Sequence, residues 1–582
     1  MAPTETEACG GTFCDAGPAA MPVDQTGENI LFVMGEGYTE AHIQIQYDPD
    51  AEADEFAWVV PLQDVPTFAV GSQPLFDRIL AGTVPSYGFQ TQFTGDGCGD
   101  TNGGSDGGGA ATSAGGDSTG GGEDPGPEIV LQQIVGAFEI TVLSGGTAQE
   151  LVDWLDANGY QQDPNALPIL EEYLSENYLF AAFKLTNDAE VADIHPVVLR
   201  FELEEACVPI RLTRIAAVED MDIRTFFLAD SRVVPQTYKH VLVNPLKLDW
   251  PTRASNYKQV ITQAVDADQA VGKAFVTEYA GPSDVILQLG IVDEQWQSTV
   301  FQDLGPEAAI DTLKAQGLLD CFEFDFAVCD FRHPLLQGLM QQFLPPPEGV
   351  EEAEFYECPE CYPDMIDLDA WDGLAFAALL EERIIAPGQH AVSLLDSFPT
   401  LTRMYTTISP GEMNADPFFH PNPDLPDVDR RSEIATRQIG CGADEIWILP
   451  DGREVYVPGG IWPDFSDEMP WEEEVQEIAA AGGPVTLSTL TAVIDEQLTI
   501  HNCQYNYPSA QACGNEPPDP TGGSGGSDSM GGTGGSDDPG QDGDGGSSGC
   551  GCSSDSPQGG GAALLLGLGL LGLGRSRRRR AG

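Results

Sequence analysis

Positive charge is what this chain has least of. Its 582 residues carry 25 lysines and arginines against 93 aspartates and glutamates, a formal net charge of −68. A body so acidic repels phosphate backbones and anionic lipid headgroups, which sets nucleic-acid binding aside. Arg575, Arg577, Arg578, Arg579 and Arg580 all sit in the last eight positions, so the rest of the chain is poorer still in cations.

The signatures of common catalysis are missing as well. The sequence has no nucleophile elbow, phosphate loop, dinucleotide fingerprint or His-Glu-x-x-His helix. The Gly-rich tracts at 95–127 and 515–549 are low-complexity linkers that open no capped helix, so they do not read as phosphate cradles. The seven histidines (His42, His195, His240, His333, His390, His420 and His501) are scattered, and each reads as a surface or internally satisfied side chain. Carboxylate pairs are too numerous for any two to stand out as acid and base. These absences favour a noncatalytic binding or structural role, with a secreted enzyme, of hydrolase type, as the alternative.

A long apolar run is also lacking. Residues 561–574 are apolar, yet as a helix they span only about 21 Å, short of a hydrocarbon core of about 30 Å. Their five glycines weaken the helix further. Followed by the arginine cluster, the run reads as a short hydrophobic tail helix that halts in the membrane with its arginines on the cytoplasmic side. Residues 1–8 show neither a basic nor an apolar leader segment, so export of the body calls for a start codon further upstream, with maturation just before Cys9.

Cysteine is plentiful, at thirteen, which suits an exported protein. Cys9 and Cys14, Cys321 and Cys329, Cys358 and Cys361, and Cys503 and Cys513 are close enough in sequence for local bridges, although connectivity is not fixed by spacing. Cys98, Cys207 and Cys441 stand apart. Cys358 and Cys361 also have zinc-type or redox-type spacing, but no second such pair completes a four-cysteine site. Cys550 and Cys552 lie in the tail and read as processing residues.

The only cofactor these residues suggest is Ca²⁺. Asp48, Asp50, Glu52 and Asp54 alternate in one turn, and Asp424, Asp427 and Asp429 follow an extended stretch from Phe418. The first lacks the central glycine and distal glutamate of an EF-hand loop and the second contains Pro423 and Pro426, so a solvated acidic turn competes with a calcium site and with Ca²⁺-dependent adhesion.

Along the chain, 9–94 reads as a β-rich start of the body, 95–127 as a disordered insertion and 128–344 as an α+β continuation. A proline-rich part at 345–514, a flexible stalk at 515–549 and a sorting tail at 550–582 follow. The spacing predicts paired strands at 28–35 and 38–47, with Ala41 and Ile43 on one face and His42 and Gln44 on the other. Further strands are predicted at 56–62, 128–143, 179–185, 196–202, 208–213, 222–228, 237–243, 391–406 and 445–457. Helices are predicted from the capping box Thr147-Ala-Gln-Glu150, at 167–177, at 256–268, from Pro306 to Gly317, and near 370–383. Without strict strand–helix alternation the fold class is α+β, with mixed or antiparallel sheets and a few packed helices.

Two resemblances add to this. The tail, with Gly549-Cys550-Gly551-Cys552, a short apolar stretch and terminal arginines, resembles the MYXO-CTERM sorting signal of myxobacteria. That likeness implies export machinery and a membrane sorting protease of the myxosortase kind as partners. It also implies cleavage near Cys550 or Cys552 and delivery to the cell surface or outer membrane after transient anchoring in the inner membrane. The body resembles the family catalogued as domain of unknown function 2330, found in exported bacterial proteins. The likeness rests on Cys9-Gly-Gly-Thr-Phe-Cys14, Ala41-His-Ile-Gln-Ile-Gln-Tyr47, Phe56-Ala-Trp-Val-Val-Pro61, Val208-Pro-Ile-Arg-Leu-Thr213, Leu401-Thr-Arg-Met-Tyr-Thr-Thr-Ile-Ser-Pro410 and Asp416-Pro417. No catalytic residue comes with that resemblance.

Overall fold

A computed structural model describes residues 27–44, 57–93, 127–160, 166–186, 193–215, 217–323, 327–440, 445–505 and 507. All of them belong to one compact unit within residues 1–517. The fold is α+β, and its backbone is a mixed sheet. Ten strands follow one another in the order Val485–Thr489, Glu472–Glu477, Lys239–Val243, Ala274–Pro282, Thr400–Ile408, Met221–Ala229, Gly27–Gly35, Tyr38–Gln44, Val197–Phe201 and Thr67–Val70. An eleventh, Val428–Asp429, pairs with Ala274–Pro282 off this path. The sheet therefore draws on the beginning, middle and end of the body.

Apolar runs such as Ile30-Leu-Phe-Val33 explain the centre of the sheet. Leu31 and Val33 pack on one face with Phe226 and Leu228, while Ile30 and Phe32 pack on the other with Ile223 and Phe227. Strands buried on both faces lose the polar–apolar alternation of a half-solvated sheet. The predicted hairpin at 28–35 and 38–47 is present as antiparallel Gly27–Gly35 and Tyr38–Gln44. Its His42 face is buried like its Ala41 face.

The capping box holds as read. Thr147 Oγ1 accepts from Glu150 N at 3.2 Å and Glu150 Oε2 accepts from Thr147 N at 2.7 Å, opening helix Ala148–Ala157. Helices Ala166–Ser175, Tyr257–Val265 and Pro306–Ala315 also stand where periodicity places them.

Four stretches differ from their sequence patterns, and one of them, 445–457, is a hairpin of Glu445–Ile448 against Glu454–Val457 rather than one strand. Residues 128–143 form a hairpin rather than one strand, Glu128–Val135 against Phe138–Ser144, turning at Gly136 with φ 57°. The strand expected at 208–213 is a turn of helix, Ile210–Thr213. Asp416, far along the chain, sets it: Oδ1 accepts from Arg211 N at 3.0 Å and Oδ2 from Arg211 Nε at 2.8 Å. The strand expected at 391–406 begins only at Thr400, because helix Ala386–Ser397 runs on from helix Gly373–Leu380 through a π turn at Glu381–Ile385. Pro399 stops it by forcing Phe398 out of helical geometry, to φ −107° and ψ 117°.

Helix Gln73–Thr83 was not anticipated. Ser72 Oγ caps it by accepting from Leu75 N at 3.3 Å, and Leu75, Phe76 and Ile79 are buried. The insertion at 95–126, the stalk at 515–549 and the tail at 550–582 lie outside the described residues. Among those described, no helix is long and apolar enough to cross a membrane.

Candidate functional site

The helices Gln73–Thr83 and Tyr257–Val265 flank a cavity of about 580 Å³ on one face of the central sheet. Strand alternation puts its polar groups there. Asp222 and Arg224 are two apart on one strand, as are Arg403 and Tyr405 on its antiparallel neighbour, where Arg224 pairs with Tyr405. Side chains two residues apart leave the same face. Glu278 comes from the next strand, Tyr257 and Lys258 from the first turn of one helix, and Tyr87 from the segment after the other.

The lining is organised around two carboxylates. Asp222 Oδ2 accepts from Arg224 at 3.1 Å, and its Oδ1 accepts from Tyr405 Oη at 2.7 Å and Lys258 Nζ at 3.0 Å. Glu278 Oε2 accepts from Arg403 Nε at 2.5 Å and its Oε1 from Tyr257 Oη at 2.8 Å. The Arg403–Glu278 pair is buried, with side chains 5% and 1% exposed, and balances itself. Asp222 alone faces both Arg224 and Lys258. Arg253, also lining the cavity, makes no ion pair among the described residues. Four cations thus face two carboxylates, in a protein whose acidic residues outnumber its basic ones 93 to 25.

Three phenols complete the wall. Tyr257 and Tyr405 stack with centroids 6.2 Å apart, Tyr87 meets Tyr257 at 5.5 Å, and the Arg224 guanidinium lies 5.0 Å from the centre of the Tyr405 ring. Burial pushes the Tyr87 hydroxyl up to about 12. Burial also raises Tyr405, with the Asp222 hydrogen bond adding to it, and raises Tyr257 beside Glu278. All three therefore stay neutral hydrogen-bond donors.

The turn carrying Arg253 is strained. Arg253 and Ala254 are consecutive non-glycine residues with φ 59° and 58°. The left-handed region costs an L-residue roughly 1–2 kcal/mol. Backbone bonds of Arg253 N to Trp250 O at 2.9 Å and Ala254 N to Asp249 O at 2.8 Å hold it. Strain of this sort clusters at ligand sites.

No residue singled out from sequence as a site lines this cavity. Cys321 and Cys329 face each other across the hairpin Leu319–Glu323 and Ala327–Phe331 and form a disulfide, as do Cys358 and Cys361. The Cys-x-x-Cys stretch is thus a crosslink in the structure, with both sulfurs used. Cys503 is disulfide-bonded. Cys207 is a free thiol that burial, above all, pushes up, so it is a poor nucleophile. Of the calcium candidates, Asp429 gives both oxygens to Arg431, at 2.9 and 2.7 Å, and Asp424 Oδ2 accepts from Gly482 N at 2.7 Å. The three aspartates of that loop do not make a convergent ligand group among the described residues, whereas Glu40, His42 and His390 do. Cys9, Cys14, Asp48, Asp50, Asp54, Cys513, Cys550 and Cys552 lie outside the described residues.

A signal for the cavity was present in Asp222-x-Arg224 and Arg403-x-Tyr405, polar pairs at strand spacing inside apolar runs. A family model described as "Uncharacterized protein conserved in bacteria (DUF2330)" matches residues 3–301. That span holds every polar cavity residue except Arg403 and Tyr405. No curated protein and no solved structure matches the chain.

Proposed function

This chain belongs to the DUF2330 family of bacterial proteins, and from that premise we propose that it is an exported, surface-displayed binding protein rather than an enzyme. Its body takes up a small organic anion, one bearing carboxylate or phosphate, in the cavity between Arg224, Arg253 and Lys258. The observation that carries this reading is the surplus of cations there in a chain of net charge −68. The volume, about 580 Å³, suits a small ligand. A polyanion would meet the acidic surface around it, so the ligand class is small and compact.

The probe is citrate, set against sodium chloride at matched ionic strength. Ligand that binds only the folded state raises the melting temperature. Citrate is expected to raise it for the wild type and not for the double variant Arg224→Gln/Arg253→Ser. Equal melting curves in both salts would remove the anion site.

Display at the cell surface draws its support from the tail alone. The body is exported, held briefly by 561–574, and released to the surface by a sorting protease acting near Cys550 or Cys552. Cells making the full chain should show processed, surface-accessible protein, and cells making a chain ending at Gly549 should lose surface retention. Equal retention and an unprocessed mass in the full-length case would end that part of the proposal.

A further inference from the structure

Glu40 and His42 stand two apart on the strand Tyr38–Gln44, so their side chains leave the same face. Each is only 2% exposed. His390, 350 positions away from Glu40 on helix Ala386–Ser397, brings its Nε2 to 2.8 Å from Glu40 Oε2. His42 Nε2 lies 3.3 Å from the same oxygen. The imidazoles are stacked, with planes 11° apart and centroids 5.9 Å apart. The other carboxylate oxygen, Oε1, accepts from Arg200 at 2.5 Å, and that guanidinium lies 3.6 Å over the Tyr38 ring. The carboxylate is therefore oriented from behind, and Oε2 is left to the two histidines.

We propose that Glu40, His42 and His390 form a binding site for a divalent transition metal, Zn²⁺ by preference, with a fourth position open to solvent. One candidate atom from each side chain lies within 4.8 Å of the other two. Two imidazoles and one carboxylate are a recurrent zinc set when one position stays open. At metal–ligand distances of about 2.0–2.2 Å, tetrahedral ligands stand roughly 3.3–3.5 Å apart. The Glu40–His42 separation of 3.3 Å already meets this. His390 must withdraw by about half an ångström to reach the tetrahedral separation, and its side chain, 45% exposed, has room to do so. That half-exposed side is where a water or an oxygen ligand completes the shell. Two nitrogens among three ligands disfavour Ca²⁺ and Mg²⁺, which take oxygen.

Two further observations set this trio apart from a structural ion cluster. His195 and His240 engage both ring nitrogens with protein groups. Among the described residues His42 Nδ1, though buried, has no hydrogen-bond partner, a state shared with His420 Nε2, and Nε2 is the one engaged ring atom of His42. The helix bearing His390 also begins directly after the π turn Glu381–Ile385. Such turns re-aim the helix that follows and are frequent at functional sites.

The test titrates the full chain with Zn²⁺ by calorimetry in millimolar Ca²⁺ and Mg²⁺, which occupy the many surface carboxylates. One saturable event is expected, weakened at least tenfold by His390→Ala. Because His390 is half-exposed, that variant should keep the wild-type circular dichroism spectrum. Glu40→Gln, which keeps shape and removes the charge, should weaken binding alike. Co²⁺ should give intense tetrahedral d–d absorption that His390→Ala abolishes. Cys207→Ser should leave all of this unchanged. Absence of a saturable event, equal affinity in His390→Ala, or loss of binding in Cys207→Ser would each overturn the assignment. Citrate binding in the cationic cavity is a separate property and should survive His390→Ala.

Discussion

Glu278→Ala is expected to destabilise the body by about 3–5 kcal/mol in urea denaturation, the range found when one partner of a buried ion pair is removed. Arg403 is 4% exposed and Glu278 1%. Without the carboxylate, the guanidinium keeps, among the described residues, hydrogen bonds to Leu80 O and Thr83 Oγ1, both at 3.3 Å, and the Phe226 ring at 5.5 Å, none of them charged. Tyr257 Oη loses its acceptor as well. The double change Glu278→Leu/Arg403→Met, which takes out both charges at similar volume, should recover most of the loss, since well-packed apolar replacements of buried pairs are often neutral. A loss under about 1 kcal/mol for Glu278→Ala would mean that the pair behaves like a solvated surface bridge.

Acidification is the second large effect. Burial pushes His195 and His333 down to about 4 and His240 to about 3. The contacts explain why. His195 Nε2 lies 3.0 Å from Ala137 N–H and Nδ1 lies 2.8 Å from Pro196 O, so a second proton would face a donor. His333 Nδ1 accepts from Leu335 N at 3.2 Å as the cap of helix Pro334–Phe343. In the unfolded chain these rings titrate near 6.5. Between that value and about 4 the unfolded state holds more protons, so stability falls as pH falls. Each ring contributes a loss of about 1.4 kcal/mol per pH unit within the window. Asp266, which burial and then Glu412 raise to about 6, works in the opposite direction and offsets one of them. Stability measured from pH 6.5 to 5 should therefore decline, and His333→Gln, which can still cap the helix, should flatten the decline by one site. A flat or rising profile, or an unchanged slope in that variant, would contradict the burial of neutral histidines.

What could be read from sequence follows from the range of the interactions. The capping box at Thr147, the Pro306 helix and the hairpin from Gly27 were legible because each is decided within a few residues. The disulfides Cys321–Cys329 and Cys358–Cys361 are local too. The turn Ile210–Thr213 was misread because Val208-Pro-Ile-Arg-Leu-Thr213 has strand-like composition, while Asp416, supplied from elsewhere, makes it helical. The stretch at 391–397 was misread for a related reason: its apolar residues fit either period, and Pro399 rather than composition sets the helix end.

The cavity was out of reach of a local reading. Its polar residues run from Ser86 to Tyr405 and meet only because the sheet interleaves distant strands. A similar limit hid Glu40, His42 and His390, since the third ligand lies 350 positions from the first. What the sequence did hold was the scarcity of cations, and the few it has in the body gain weight for that reason.

Calorimetric titration of citrate into the wild type and the Arg253→Gly variant tests the binding reading most directly. Glycine adopts φ near 59° freely, so the variant should fold with unchanged or slightly greater stability while lacking the one cavity guanidinium that makes no ion pair among the described residues. The expected result is one citrate per wild-type chain and at least tenfold weaker binding to an intact Arg253→Gly protein. Equal affinity in the two, or no saturable binding in either, would contradict it.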